Sequence, residues 1–358
     1  MALTDLQTGL IALGAAGIAG VLVYNKWQER KHRRHAEKVF GRDHADVLID
    51  GAPERREPVL GDAGDAAVEA AAAPAAAEPA LPVPEFDLAD AKTETVVAVT
   101  LSEPLPGGEL VRRIAPLFEP AHKPVRWYVL DESARTWQEL TPQCALRAGE
   151  LRAVLQLADR SGALDAAEFD AFMQGLKQIA DRFLAVVDYP VRSELLQRAT
   201  ALDEFCASVD VVIGVNVVSG STAFAGTKLR GLLEAAGMKL AGDGAFHMCD
   251  DVGATQFTLA NIEPELFDAD GLKNLSTQGL TLALDLPRVA QGPQVFDRMI
   301  AVAQQIVQAL HGSLVDDNRN VLNEASLSLI RKQIAEFQGR MIAYGIMPGS
   351  VVAARLFS

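Results

Sequence analysis

The sequence predicts an α+β protein. It should consist of antiparallel sheets with helices packed on one face, of the split β-α-β type, in two tandem related copies. Three observations lead there. First, two β-rich runs, TVVAVTL from Thr95 and DVVIGVNVV at Asp210–Val218, each lead through a glycine-bearing loop into a helical pattern. The helical patterns are ELVRRIAPLF (Glu109–Phe118) and KLRGLLEAAGM (Lys228–Met238). Second, a single offset of 127 residues pairs Leu155 with Leu282, Phe169-Asp170 with Phe296-Asp297, and Ile179 with Ile306. It also pairs Phe183 with Leu310, Leu195 with Leu322 and Leu202 with Leu329, as an internal duplication would. Third, strand-like alternation recurs between the helices at AFHMC (Ala245–Cys249), QFTLANI (Gln256–Ile262) and LTLALDL (Leu280–Leu286).

The second half therefore reads β-α-β-β-β-α-β-α. Its long helix carries Phe296, Met299, Ala303, Ile306 and Leu310 at helical spacing and should end at Gly312. Ser313–Val315 is a short strand, and Asp316-Asp317-Asn318 is a turn. The last helix, about Glu324–Tyr344, should bury Leu327, Ile330, Ile334 and Phe337. Such a sheet leaves its other face to solvent or a partner.

The first 94 residues follow a different logic. LIALGAAGIAGVLV (Leu10–Val23) has no charged residue, and Leu10, Ile11, Leu13, Ile18, Val21, Leu22 and Val23 would face lipid. Extended from Leu6 to Tyr24, the helix reaches about 28 Å, close to a hydrocarbon core of about 30 Å. Tyr24 and Trp27 suit an interfacial belt, and Lys26, Arg30, Lys31, Arg33 and Arg34 follow. The charge lies after the apolar run, which fits an uncleaved anchor with its N-terminus outside and disfavours a cleaved signal peptide. Ala12, Ala16 and Gly20 share one helix face, a spacing that would admit a homo-oligomer. Residues 41–94 are rich in Ala, Pro and acid, with 13 acidic and 4 basic residues, and read as a disordered tether. The expected organisation is thus an anchor at 1–25, a basic juxtamembrane segment at 26–40 that would touch lipid, and a linker at 41–94. Two α+β domains follow at 95–207 and 208–345, with a tail at 346–358.

Composition excludes some functions. A formal charge of −14 argues against nucleic acid as a partner. Cys144, Cys206 and Cys249 stand far apart without a Cys/His cluster, which argues against a metal site. No phosphate loop or GxSxG elbow appears, and no cofactor is expected. His247, Cys249 and Asp250-Asp251 lack the orienting third group that a nucleophile set needs, and the chain is not expected to be an enzyme.

FTLANIEPELFD (Phe257–Asp268), LSTQGLTLALDLP (Leu275–Pro287) and VDDNR (Val315–Arg319) resemble the C-terminal domain of the ZipA family of membrane-anchored bacterial division proteins. The resemblance covers about Asp210–Phe337 in detail. It implies a six-stranded antiparallel sheet backed by three helices, with an apolar groove on the open face. It also implies a partner, the C-terminal tail of the tubulin-like division protein FtsZ, and a place at the division site of the inner membrane with the domains in the cytoplasm. Carried over, the groove would include Val212, Ala260, Ile262, Thr281 and Ala283. The family has large apolar residues where Ala283 and Asp243 stand here, and a basic residue near Glu263. It also has a single such domain. The competing reading is a membrane-anchored scaffold or dimerisation module, with the sheet face buried between the two copies or in a dimer.

Overall fold

The computed structural model describes residues 83–358. The expected anchor, the basic segment and most of the linker lie outside the described residues. Among the described residues, no helix is long and apolar enough to cross a membrane.

The first half runs β1 (Glu94–Pro106), α1 (Gly107–Ile114), β2 (Val125–Asp131), β3 (Thr136–Glu139), β4 (Arg147–Gln156) and a small hairpin of β5 (Ala158–Asp159) and β6 (Gly162–Ala163). It continues through α2 (Ala166–Phe183), β7 (Val186–Val187) and α3 (Arg192–Val209). The strands form an antiparallel sheet in the order β3-β2-β4-β1-β7. Alternation along β1 buries Val97, Val99 and Leu101 under the helices and leaves Val96 40% exposed on the other side.

The second half runs β8 (Val212–Val218), β9 (Phe224–Ala225), α4 (Gly226–Ala235), β10 (Lys239–Leu240), β11 (Phe246–Cys249) and β12 (Thr255–Asn261). Then come β13 (Ser276–Thr277), β14 (Gly279–Asp285), α5 (Gly292–Leu310), β15 (Ser313–Val315), α6 (Glu324–Tyr344) and α7 (Val351–Leu356). Six strands form an antiparallel sheet in the order β10-β11-β12-β14-β8-β15. Val215, Val217, Leu259, Leu280, Leu282 and Leu284 face the helices and join Phe296, Met299 and Ile306 in one core.

The 127-residue offset has structural counterparts. It carries α2 onto α5 and the strand after α2 onto the strand after α5. Both long helices end on a non-glycine left-handed residue, Leu184 (φ 48°) and His311 (φ 54°), at that same offset. The expectation that Gly312 would break the second helix is corrected here. His311 takes the left-handed conformation, and Gly312 is small because a Cβ there would lie 2.9 Å from Phe224 and from the Val218 carbonyl oxygen. The offset does not reach the last helices. Leu329 is 57% exposed, whereas its supposed counterpart Leu202 is buried. A longer turn before α6 changes the phase. Leu195 and Leu202 of α3 occupy the buried positions that Leu327 and Ile334 hold in α6. The hairpins also differ. β2, beside β4, precedes its partner β3, whereas β12, beside β14, follows its partner β11.

Two segments outside the expected domains are folded into the first half. From Val83 the chain lies over the outer face of the first sheet, where Phe86 and Ala89 pack on Tyr128, Leu130, Trp137 and Val154. Residues 346–358, expected as a tail, form α7 and place Ala353, Leu356 and Phe357 in the first core. The halves meet chiefly through α3 and α6. The Phe205 and Tyr344 rings stack at 3.7 Å, and Arg340 donates to the Ser208 carbonyl at 3.0 Å.

Candidate functional site: the open face of the second sheet

In the second sheet the residues that alternate away from the core form one face that no helix covers among the described residues. β12 contributes Thr258 and Ala260, with Ile262 just beyond its end. β14 contributes Gly279, Thr281 and Ala283, and β8 contributes Val212, Gly214, Asn216 and Val218. The register sets Ala260 opposite Thr281, Thr281 opposite Asn216, and Ala283 between Thr258 and Gly214. Val212, opposite Asp285, is 56% exposed, and Ile262 is 42% exposed. Ala260, Thr281 and Ala283 are half-buried between them. Strand alternation thus brings all five sequence-selected positions to one face, with Val212 at the far end of β8.

Gly279 has a specific steric role here. A Cβ on it would approach Ile262 Cγ2 to 3.0 Å, so its bare Cα is what lets Ile262 lie across β14. The Ile262 N–H donates to the Gly279 carbonyl at 3.1 Å, which fixes that crossing.

The middle of the face is polar, a feature that sequence reasoning missed. Thr281 Oγ1 donates to Asn216 Oδ1 at 2.7 Å, and Asn216 Nδ2 donates to Asp317 Oδ1 at 2.9 Å. Asp317 reaches the face because Asp316 folds its own loop. Asp316 accepts the Asn318 and Asn320 N–H groups at 2.9 and 2.7 Å. The acidic pair at Asp316-Asp317 was legible as a turn, but the partner it would reach was not. The small residues Gly214, Ala260 and Ala283 form the rest of the floor.

One edge carries a His–Asp pair. His247 lies between Asp243 and Thr255, with its ring nitrogens 2.9 and 3.0 Å from their side-chain oxygens. Desolvation opposes the charged form of Asp243, but the His247 bond and a backbone N–H outweigh it and hold its carboxyl below the usual value. Asp243 and His247 thereby form a polar clasp between the β10–β11 turn and β11. At the other end Glu263 Oε1 accepts the Gln278 N–H at 3.1 Å. Among the described residues no group of three or more His, Cys, Asp or Glu side chains is placed to hold a metal ion.

The sheet order, the bare face and the backing helices define an open-faced antiparallel α+β domain. Residues 211–333 match the family model described as "ZipA, C-terminal FtsZ-binding domain". The chain is 33% identical over 132 residues to the cell division protein ZipA of Marinobacter nauticus, covering 36% of this chain and 39% of that one. It is 31% identical over 141 residues to ZipA of Stutzerimonas stutzeri (38% and 52%), and 29% identical over 151 residues to ZipA of Ectopseudomonas mendocina (41% and 55%). The second half of the chain is thus similar to the C-terminal domain of ZipA proteins, while the chain spans about half the length of most of the curated relatives it matches.

Proposed function

We propose that the chain is a division protein whose second half holds the C-terminal tail of FtsZ on its open sheet face. Residues 10–23 would anchor it in the inner membrane, with the folded halves on the cytoplasmic side. The observation that carries this reading is the uncovered face bearing Val212, Ala260, Ile262, Thr281 and Ala283 inside the family-matched segment. The apolar anchors Val212 and Ile262 flank a polar centre, so the groove should take a short amphipathic peptide and hold it weakly. Each large side chain absent from the floor removes about 1.5–3 kcal/mol of burial. Titration of the whole chain with an FtsZ C-terminal tail peptide tests this. Saturable binding that Ile262→Asp abolishes without lowering Tm is expected, and no binding at millimolar peptide refutes the proposal.

Against a scaffold with this face buried on the first half stand Ile262 and Val212, which are exposed to solvent among the described residues, with Thr281 half-buried. A second copy remains the alternative occupant, favoured by the small-residue floor. A sedimentation shift that Ile262→Asp removes would select it. We further read the two halves as diverged copies of one domain, supported by the shared offset of the two long helices, their left-handed caps and the strands that follow.

A further inference from the structure

The outer face of the first sheet is occupied by the chain itself. The ladder registers identify the equivalent positions. Thr95 and Val125 flank Leu155 in the first sheet as Val215 and Leu259 flank Leu282 in the second. Counting along the strands from there, Arg126 takes the place of Ala260, Val154 that of Thr281, and Tyr128 that of Ile262. Two of the residues under Phe86, Tyr128 and Val154, thus occupy the positions of Ile262 and Thr281 on the open face of the second sheet.

That contact has the form of a ligand in a groove. The Phe86 ring meets Tyr128 edge-on at 5.1 Å and Trp137 at 5.4 Å and 88°. Trp137 Nε1 donates to the Pro84 carbonyl at 3.1 Å. Val154 and Leu130 complete the floor, and both are buried. Arg152 lies 4.5 Å over the Trp137 ring, and Arg126 flanks Tyr128. The segment VPEFDLAD (Val83–Asp90) carries Glu85, Asp87 and Asp90, while Arg126 and Arg152 pair with Glu94 and Glu150. Between Val83 and Asp90 it forms no helix or strand of its own. One aromatic anchor and one backbone acceptor read by an indole N–H are elements of peptide recognition.

We propose that the outer face of the first sheet is a peptide-binding groove, and that Val83–Asp90 is its ligand in cis, a strap that holds this half closed while the second half stands open. The proposal concerns the first sheet alone and stands whether or not the second binds FtsZ. A strap joined directly to β1 has an effective concentration on the order of millimolar, so it excludes a free peptide at micromolar concentration. Its chemistry defines what would displace it: an extended segment with a proline two residues before a phenylalanine and acidic flanks.

The probe is a fluorescent synthetic peptide of residues 81–92, titrated against the whole chain and against the whole chain carrying Phe86→Ala. The variant should bind the peptide at least about tenfold more tightly than the unaltered chain, because truncating Phe86 removes the strap's main apolar anchor. The same peptide with its Phe replaced by Ala should not bind the variant. Trp137 emission should shift to longer wavelength in the variant and return when the peptide is added. Equal binding to both chains, no binding to the variant while its circular dichroism is unchanged, or undiminished binding of the Phe-less peptide would each overturn the proposal.

Discussion

The two sheets present the same face in opposite states. The first is floored by Tyr128, Leu130, Trp137 and Val154 and covered by the chain's own Phe86. The second is floored by Gly214, Ala260, Thr281 and Ala283 and, among the described residues, is open except where Asp317 meets Asn216. The covered face and the open one differ in the size of a few outward residues. Large aromatics supply enough apolar area to hold a segment that is otherwise irregular. Alanine, glycine and threonine supply too little, and the loop at Asp316–Arg319 reaches that face through hydrogen bonds instead. The halves differ in self-sufficiency too. The second core is built from residues within Val211–Phe337, whereas the first also draws on the end of the described chain, from Met341 to Phe357.

The largest effect should come from that dependence. Phe357 is 1% exposed in the first core, and Gln156 Nε2 donates to the Arg355 carbonyl at 3.1 Å beside it. Phe357→Ala should cost about 3–5 kcal/mol by removing a buried ring. Hydrogen exchange should show the loss in β1, β2 and β4, with β8, β12 and β14 much less affected. Equal loss of protection in both sheets would show that the halves unfold as one and would break the comparison.

A smaller effect should separate the faces. Asn216 is 6% exposed and joins Thr281 to Asp317. Asn216→Ala should cost about 1–2 kcal/mol, since a buried hydrogen-bonding partner is lost on each side. Faster amide exchange should be confined to the 316–322 loop and β15, with the first sheet unchanged. If the loop keeps its protection, the polar ladder is not what holds it to the face.

Much of the fold was legible because periodicity is local. The helical spacing of Phe296, Met299, Ala303 and Ile306 and the alternation of β12 and β14 are written in adjacent residues. The face carrying Val212, Ala260, Ile262, Thr281 and Ala283 followed from the same alternation. What escaped was long-range. Nothing local says that Phe86 would find Trp137, that Phe357 would complete a core begun at Val97, or that Asp317 would bond Asn216. Composition also misled. The Pro/Ala/acid bias of residues 41–94 masked one aromatic, Phe86, whose partners lie some forty and fifty residues away. The offset failed at α6 because a longer acidic turn shifted the helix phase, which periodicity alone does not register.

The smallest effect concerns acid, and it tests the comparison through two carboxylates. In the first half Lys123 is 3% exposed, and its Nζ donates to Asp159 Oδ1 at 2.6 Å, to Ser161 Oγ at 3.0 Å and to the Gly162 carbonyl at 2.8 Å. Desolvation raises the Asp159 pKa, but the bonds from Lys123 and Ser161 prevail and hold it below its ordinary 3.8. In the second half Asp243 is also lowered, at an exposed turn beside His247. A carboxyl depressed in the folded state stabilises it above the unfolded value, and that contribution fades as pH falls through the folded value. Both halves should therefore lose stability below about pH 4, the first more steeply, because protonating Asp159 leaves a buried ammonium without its counter-charge. Asp159→Asn should lower Tm at pH 7 and flatten the Tm–pH curve below pH 4. Asp243→Asn should change both only slightly, because a solvent-exposed pair contributes about 0–1 kcal/mol. A larger acid effect from Asp243 than from Asp159 would mean that the second half, not the first, is electrostatically the tighter of the two.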